Sequence, residues 1–514
     1  MDVLFVNPGN SKSIYQSLAQ KVTAIEPPTW ALLLAEAVRA KGFTPGILDV
    51  NAENLEISEA VERVSSIKPR LICFVVYGQN VNAGTTSMGG AVILSTEIKK
   101  ILPDTKIAFI GSYVQALPKK ALIDEPSIDI VFLNEGVYSL INLLSLANFK
   151  PASLLNINGI ALRDENGMPR LNPPERIVPT HLMDTDLPGY AWDLLPKKDR
   201  PLDLYRSPLW HAEYQEDHRT PYAAIQTSLG CNFGCSFCMI NILNRNDDAE
   251  IGVASNYKGM RFWSTEHNIK QFDILNSMGV STIRIVDEMF LLYKKHYLPL
   301  CEQLSKREYA NKLRMWSYSR VDTVSNEEFL KIVRSAGIKW LCLGIESATK
   351  SVRLEVSKGK FEDVDIKKVI QHVHNAGIEV MANYIVGLPG EDKDSMQRTL
   401  DFSLELCTSG WNMYAAMALP GSELYKHALE NGYELPTSYS GFSFHSKETL
   451  PLRTESLTAA EILEFRDNAF LKYHNDPNFL NRIKSKFGTS AVETILKINE
   501  IRLDRNIITS REFI

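Results

Sequence analysis

The chain has 514 residues, of which 45% are hydrophobic and 23% are charged, and its formal net charge at pH 7 is -5. This length predicts two to four domains, and the negative charge argues against a nucleic-acid-binding protein. Runs of 18 apolar residues and a signal peptide are both absent, so no membrane insertion is expected. The seven cysteines, an odd number, argue against a disulfide framework and favour the cytoplasm.

The first 150 residues alternate between strand-like and helix-like stretches. DVLFVNPG is a short apolar run that ends in turn residues, and PPTWALLLAEAVRAKG begins with proline and ends at Gly42. This alternation predicts βαβ units in a doubly wound, Rossmann-like parallel sheet, which binds ligands beyond the carboxyl ends of its strands. The polar rim at those ends comprises Asn7–Asn10, Asp49–Asn51, Tyr77–Thr86, Gly111–Gln115 and Asn134–Val137.

The remaining sequence predicts an α/β chain with three further parts. Residues 151–220 are rich in Pro, Asp and Arg and are interpreted as a connector. Residues 221–420 contain about six βα units, too few for a closed eight-stranded barrel, so we expect a partial, open (β/α)6 barrel. Residues 421–514 are expected to be mostly helical. The helices predicted within the barrel span 264–278, 293–307, 325–336, 363–376 and 392–409.

Three cysteines lie within eight residues, CNFGCSFC, directly after the strand-like AAIQTSL. A structural zinc site would need four nitrogen or sulfur ligands, yet the chain has no second C-x2-C pair, and His211 and His218 precede the strand. A [4Fe-4S] cubane is compatible with three thiolates, because a small molecule can occupy the fourth iron. Cys231, Cys235 and Cys238 are therefore the predicted cluster ligands.

The C-x3-C-x2-C spacing resembles that of the radical S-adenosylmethionine (SAM) superfamily over residues 221–420. The resemblance implies that SAM binds the open iron and that one electron cleaves it to a 5′-deoxyadenosyl radical. It places SAM contacts at the strand ends, where carboxylates accept from SAM, an arginine pairs with its carboxylate, and glycines allow close approach. The expected SAM contacts are Phe237, Asp287, Glu288, Arg320, Glu346, Gly387 and Gly390. Glu391 lies one position beyond the usual spacing and is not assigned a contact.

A doubly wound sheet ahead of such a barrel resembles the cobalamin-binding radical SAM group, which includes methyltransferases and the anaerobic Mg-protoporphyrin ester cyclase. The D-x-H-x-x-G motif is absent and the first histidine is His181, so cobalamin is expected without histidine ligation. The small residues 83–87 are expected to admit its nucleotide tail between strand and helix. The expected cobalamin contacts are Asn7, Tyr77, Gln79, Asn80, Thr85, Ser87, Gly111, Tyr113, Glu135 and Gly136.

The stretches WDLLP, HRTPYAAIQTSLGCNFGCSFCMIN and NYIVGLPGEDKDSMQRTLDF resemble the subgroup of oligosaccharide and polysaccharide biosynthesis systems. The resemblance implies a methyltransferase that uses one SAM to methylate cobalamin and a second to activate an unactivated carbon of a sugar, a nucleotide-sugar or another biosynthetic intermediate. Flavodoxin or ferredoxin is the expected electron donor. The alternative within enzymes is a cobalamin-assisted rearrangement, cyclisation or oxidation without methyl transfer. Two alternatives from other classes are an iron–sulfur protein for electron transfer or sensing and a non-catalytic module that binds a nucleotide or cobalamin.

His445 is the candidate catalytic residue, because it lies past the barrel in SYSGFSFHSKE, where a loop would carry it towards the substrate. Aromatic and polar side chains are candidates for the wall of a sugar-sized cavity, through stacking and hydrogen bonds. They are Trp210, His211, Tyr214, Trp316, Tyr318, Tyr384, Tyr414, Tyr439 and His445.

Overall fold

The structure is a computed structural model that describes residues 1–9, 14–78, 80–324, 326–356 and 364–509. Seven strands form the first sheet: β1 (Val3–Asn7), β2 (Pro45–Asp49), β3 (Leu71–Val75), β4 (Lys106–Ile110), β5 (Ile130–Phe132), β6 (Ile160–Arg163) and β7 (Pro169–Leu171). Their order is β2-β1-β3-β4-β5-β6-β7, and β1 to β5 are parallel. We call this sheet and its helices the first domain.

The first domain follows from the burial of its strands on both faces. Every residue of β3, LICFV, is buried, as expected for a central parallel strand covered by helices on each side. The predicted doubly wound sheet is confirmed. The helices between its strands are Leu18–Lys21, Thr29–Ala40, Ile57–Ile67, Gly84–Ile101, Ser112–Ala116, Pro118–Asp124, Val137–Leu144 and Pro151–Leu154.

The first sheet continues beyond the expected boundary at residue 150. Strands β6 and β7 pair antiparallel with β5 and with each other, and they come from the segment that the sequence predicted as a connector. Only residues after Leu171 run between the two halves of the chain without entering either main sheet.

Eight further strands follow: β8 (Tyr222–Ile225), β9 (Ser228–Cys231), β10 (Gly259–Phe262), β11 (Thr282–Ile285), β12 (Arg314–Arg320), β13 (Ile338–Glu346), β14 (Glu379–Val386) and β15 (Gly410–Ala415). Six of them form a parallel sheet in the order β15-β14-β13-β12-β11-β8, which leaves β15 and β8 as edges. The predicted partial, open barrel is confirmed. Strands β9 and β10 form a separate antiparallel pair.

The described helices of the barrel are Thr265–Ser277, Lys294–Leu304, Glu327–Ser335, Lys350–Val356, Ile366–Asn375 and Lys393–Leu406. Five of them lie within the predicted spans, and Lys350–Val356 was not predicted. Residues 325 and 363, at the start of two predicted spans, lie outside the described residues. The C-terminal helices are Glu423–Glu430, Ala459–His474, Pro477–Phe487, Thr489–Asn499 and Asn506–Thr509. None of the helices in the described part of the chain has both the length and the apolarity needed to cross a bilayer.

Candidate functional site

The strand that the sequence predicted before the cysteines is divided in two, and the cysteine segment begins on the second part, β9. Cys231 is the last residue of β9 and lies opposite Gly259 of β10. Gly230, with φ of +82°, allows the two strands to approach closely, because a side chain there would collide with the Gly259 carbonyl. The Cys231 N–H donates to Asn241 Oδ1 at 2.8 Å, and Asn241 Nδ2 donates to the Phe233 carbonyl at 3.1 Å. Asn241 thus fixes the turn that follows the first cysteine.

The three thiols surround a small pocket and do not fit a single metal ion. Cys231, Cys235 and Cys238 line this pocket together, and none of them forms a disulfide. Among the described residues, no three His, Cys, Asp or Glu side chains lie close enough to hold one ion, which argues against zinc. Burial raises the pKa of Cys231 to about 12 and that of Cys238 well above its ordinary value. A polynuclear iron centre fits this donor set, because iron deprotonates thiols that are otherwise neutral.

Asn82 reaches the cysteine segment from the first domain. Its Nδ2 donates to Cys238 Sγ at 3.7 Å, and its Oδ1 accepts from the Met239 N–H at 2.9 Å. Sequence reasoning missed this residue, because an asparagine in a turn carries no signal for a contact 156 positions away.

A cavity of about 710 Å³ lies where the first domain meets the barrel. Its wall includes the three cysteines, Phe237 and the first-domain residues Asn80, Asn82, Ala83 and Thr86. Glu288 and Glu346 also line it, and burial raises the pKa of Glu288 to about 8 and that of Glu346 to about 7. Ionised carboxylates are therefore unfavourable in the empty cavity, and a bound ligand that donates hydrogen bonds would stabilise them.

Comparison with known proteins agrees with this geometry. Residues 225–403 match the family model of the radical SAM superfamily. Residues 225–403 therefore form a radical SAM domain. An uncharacterized methyltransferase of Pyrococcus horikoshii is 24% identical over 93% of the chain and 94% of its own length. The anaerobic magnesium-protoporphyrin IX monomethyl ester cyclase of Cereibacter sphaeroides is 22% identical over 92% of the chain and 70% of its own length.

Solved structures share the fold of nearly the whole chain. The radical SAM methyltransferase TsrM of Kitasatospora setae, solved with cobalamin and a [4Fe-4S] cluster, superimposes with a TM-score of 0.65 at 17% identity. That match covers 97% of this chain and 99% of TsrM. The cobalamin-dependent SAM radical enzyme OxsB superimposes with a TM-score of 0.63 at 15% identity, over 97% of this chain and 72% of OxsB.

Two of the expected SAM contacts in the radical SAM domain form hydrogen bonds with other residues of the protein. The Asp287 carboxylate accepts from the Thr227 N–H, the Thr227 hydroxyl and the Ser228 hydroxyl, each at 2.6 Å, and it does not line the cavity. It fixes the start of β9 instead. Arg320 does line the cavity, but its guanidinium is held by Asp322, with Nε donating to Oδ1 at 2.6 Å.

The expected glycine contacts also have another role in this structure. Gly387 and Gly390 have φ near +78° and do not line the cavity. A Cβ at Gly387 would lie 2.7 Å from the side chain of Ile462, so this glycine makes room for the C-terminal helix. Glu391, which was not assigned a contact, accepts from the Leu388 N–H at 3.1 Å and closes the same turn.

Most of the expected cobalamin contacts form hydrogen bonds, ion pairs or packing contacts within the protein. Tyr77 accepts from Gln115 at 2.5 Å, the Tyr113 and Tyr439 rings pack edge to face at 5.0 Å, and Glu135 pairs with Arg261 at 2.6 Å. Among the described residues, Asn80 is the one expected cobalamin contact that lines the cavity. Gln79 and the rim residue Asn10 lie outside the described residues. Of the other expected contacts, Asn7 donates to Asp49, Thr85 is buried and Ser87 is half-buried. Gly111 and Gly136 each lie directly before a helix.

The small residues expected to admit a nucleotide tail divide between packing and the cavity. Residues 84–87 are the first turn of the helix Gly84–Ile101 rather than a loop. A Cβ at Gly84 would lie 2.6 Å from the Val76 carbonyl, so the helix packs directly on the end of β3. Ala83 and Thr86 line the cavity, and the seat of the nucleotide tail stays a prediction.

His445 and several of the predicted wall residues do meet at the cavity. His445 lines it, with its ring 5.3 Å from that of Tyr15, and burial beside Arg466 and Arg505 lowers its pKa well below the ordinary value. His211, Tyr384 and Tyr439 do not line the cavity, and His211 and Tyr384 belong to the packed core. The predicted wall residues that do line it are Trp210, Tyr214, Trp316, Tyr318, Tyr414 and His445.

Proposed function

We propose that this protein is a cobalamin-dependent radical SAM methyltransferase that methylates an unactivated carbon of a sugar or a similar biosynthetic intermediate. The observation that carries the proposal is the single cavity, because it touches the three cysteines, the carboxylates at the barrel's strand ends and the first domain's turn at once. A methyl carrier, a radical source and an acceptor must meet in one enclosed space for such a transfer. Relatives and fold neighbours that are named as methyltransferases support the same reading.

Each group has a set of residues that fits it. Cys231, Cys235 and Cys238 hold the cluster, while Glu288 and Glu346 accept hydrogen bonds from the ammonium and ribose hydroxyls of SAM. When bound, the cluster supplies an electron to SAM and cobalamin supplies a transferable methyl group. The protein itself binds, orients and excludes water, and the first domain presents its turn to the cavity without a histidine.

The acceptor is proposed to be uncharged and rich in hydroxyl groups. Among the described residues, the cavity wall carries four arginines and four carboxylates: Arg284, Arg320, Arg466, Arg502, Glu26, Glu288, Glu346 and Asp467. Three of the arginines are paired within the protein, Arg284 with Glu26, Arg320 with Asp322 and Arg466 with Asp467, so they do not select for a charged acceptor. His445 is neutral at physiological pH, so one ring nitrogen accepts from a hydroxyl, and the rings of Trp210 and Tyr318 offer stacking faces.

Anaerobic reconstitution tests the proposal. We expect about four iron and four sulfide per chain, one bound corrinoid, and 5′-deoxyadenosine release when SAM is added with dithionite or reduced flavodoxin. With methyl-labelled SAM, label is expected in cobalamin and then in acceptors from a panel of sugars and nucleotide-sugars. Cys235→Ser should lose the cluster and all SAM cleavage. Iron near zero, or no corrinoid spectrum after supply with hydroxocobalamin, contradicts the proposal.

The second candidate is a cobalamin-assisted cyclisation, rearrangement or oxidation. It is favoured by the cyclase of Cereibacter sphaeroides, whose match covers as much of this chain as the methyltransferase match does. The fate of the label separates the two candidates. An acceptor that changes structure while 5′-deoxyadenosine forms, without gaining the labelled methyl group, supports the second candidate.

A further inference from the structure

We propose that Asn82 is a positioning residue that links the first domain to the iron–sulfur cluster and raises the cluster's reduction potential. The proposal rests on the proposed function, because it requires a cluster on the three cysteines. It goes further by making the cluster sensitive to what occupies the first domain. Asn82 belongs to the first domain and yet contacts the third cysteine and the residue after it.

The two contacts fix the orientation of the Asn82 amide. The Met239 N–H can only donate, so the amide oxygen must face it, at 2.9 Å. The amide nitrogen then faces Cys238 Sγ, at 3.7 Å, and donates to it. Exchange of the two amide atoms would place a donor against a donor. The hydrogen bond to sulfur is therefore set by the backbone bond beside it.

The turn that carries Asn82 is held firmly by the first sheet. Asn82 lies in the short 3-10 turn Val81–Ala83 between β3 and the helix Gly84–Ile101. Asn80 caps this turn by accepting from the Ala83 N–H at 3.1 Å. Close packing of Gly84 on the Val76 carbonyl prevents the helix from sliding along the strand. Movement of the turn must therefore move the amide that holds Cys238.

The same turn forms part of the cavity wall. Asn80, Asn82, Ala83 and Thr86 all line the cavity, at the carboxyl edge of the first sheet where a doubly wound domain binds its ligand. A corrinoid seated at that edge would press on the turn that bonds to Cys238. Occupancy of the first domain is thereby transmitted to the cluster through one side chain.

The chemistry gives the direction of the effect. Reduction adds negative charge to the cluster and its thiolates, and an N–H donor to a ligating sulfur stabilises that charge. Loss of the Asn82 donor should disfavour the reduced cluster about tenfold in its reduction equilibrium, which is about 59 mV for one electron. An acidic group at this position should disfavour reduction further, because it adds a repelling charge.

Redox titration followed by electron paramagnetic resonance tests this on the full-length reconstituted protein without SAM. Asn82→Ala removes both hydrogen bonds, while Asn82→Asp keeps an oxygen for the Met239 N–H and removes only the donor. We expect the ease of reduction to fall from wild type to Asn82→Ala to Asn82→Asp, whereas iron content falls most in Asn82→Ala. If Asn82 had a merely structural role, the variant with the lowest iron content would also be the hardest to reduce. Thr96→Ala, on the exposed side of the helix Gly84–Ile101 that follows the turn and away from the cavity wall, is the matched control, and its reduction equilibrium should match that of wild type within about twofold.

Addition of hydroxocobalamin completes the test. We expect it to shift the midpoint potential of wild type and of Thr96→Ala, and to leave that of Asn82→Ala unchanged. Equal potentials in wild type and both Asn82 variants overturn the role of Asn82, and an unshifted wild type overturns the coupling. A wild-type protein that assembles no cluster overturns the proposed function instead, so the two failures are distinguishable. If Asn82→Asp does not fold, Asn82→Ala alone decides between these outcomes.

Discussion

At the scale of single residues, Glu346 combines two unfavourable features at the end of β13. Its φ of +64° is a left-handed conformation that costs a residue with a side chain about 1–2 kcal/mol. Its burial at the cavity raises its pKa to about 7, although Arg320 opposes the shift. A register shift between Gly344 and Glu346 turns the carboxylate towards the cavity. Strain and an unfavourable charge at one position are typical of a residue that awaits a ligand.

Glu346→Gln should change the pH dependence of stability in the protein without SAM. The folded pKa of about 7 lies above the ordinary value of 4.5, so the stability that Glu346 contributes is complete below pH 4.5 and is lost as the pH rises through 7. Glutamine never ionises. Relative to wild type, the free energy of unfolding of Glu346→Gln should rise by about 3 kcal/mol between pH 4.5 and pH 8. Urea denaturation at several pH values measures this, and a constant difference would refute it.

Asp287 and Glu288 are adjacent carboxylates with opposite expected behaviour. Asp287→Asn keeps one acceptor oxygen for three donors from Thr227 and Ser228, so it should cost about 1–3 kcal/mol and lower the iron content by loosening β9. Glu288→Gln should leave stability at neutral pH and iron content close to wild type and weaken SAM binding about tenfold, because Glu288 lines the cavity. Denaturation, iron analysis and calorimetry with SAM separate the two. If Asp287→Asn bound SAM more weakly at full iron content, Asp287 would contact SAM directly after all.

At the scale of secondary-structure elements, the sequence predicted what periodicity controls and missed what tertiary contacts control. The strands of both main sheets are apolar runs between helices with clear ends, so the doubly wound sheet and the open barrel could be predicted. Strands β6, β7, β9 and β10 are short and polar or glycine-containing, and they exist because a neighbouring strand pairs with them. Alternation along the chain could not tell which of Asp287 and Glu288 faces the cavity, because that depends on where β9 lies.

The glycines of the turn after β14 offer a matched test of their structural role. Gly387 and Gly390 share a left-handed conformation, but only Gly387 packs against another element, the helix of Ile462. Gly390→Ala should cost about 1 kcal/mol for the backbone alone, and Gly387→Ala about 3 kcal/mol because the new methyl group also displaces the helix. Combining Gly387→Ala with Ile462→Val should recover part of the loss. Equal costs for both glycines, measured by denaturation, would contradict the packing role.

At the scale of the whole molecule, two buried ion pairs join the first domain to the barrel side. Arg284 of β11 pairs with Glu26 at 2.5 Å, and Arg261 of β10 pairs with Glu135 at 2.6 Å. Both pairs are almost completely buried, so each depends on its partner to offset the loss of water. The second pair matters for the cluster, because β10 holds the strand on which Cys231 lies. The first domain therefore supports the cysteine segment both through Asn82 and through Arg261.

Arg261→Met tests whether the first domain fixes the cysteine strand. Arg261 also donates to the Val178 carbonyl and to Asn244, each at 2.8 Å. Its loss leaves the buried Glu135 carboxylate without its cation, although the Val178 N–H still donates to it at 2.5 Å. We expect a loss of about 3–5 kcal/mol in unfolding free energy, together with reduced iron content after reconstitution. The double variant Glu135→Leu with Arg261→Met removes the unpaired charge and should recover most of the stability. Iron content should recover less, because an apolar contact does not restore the hydrogen bonds that orient β10. If the single variant binds iron as wild type does despite its lower stability, the first domain does not set the position of the cysteine strand.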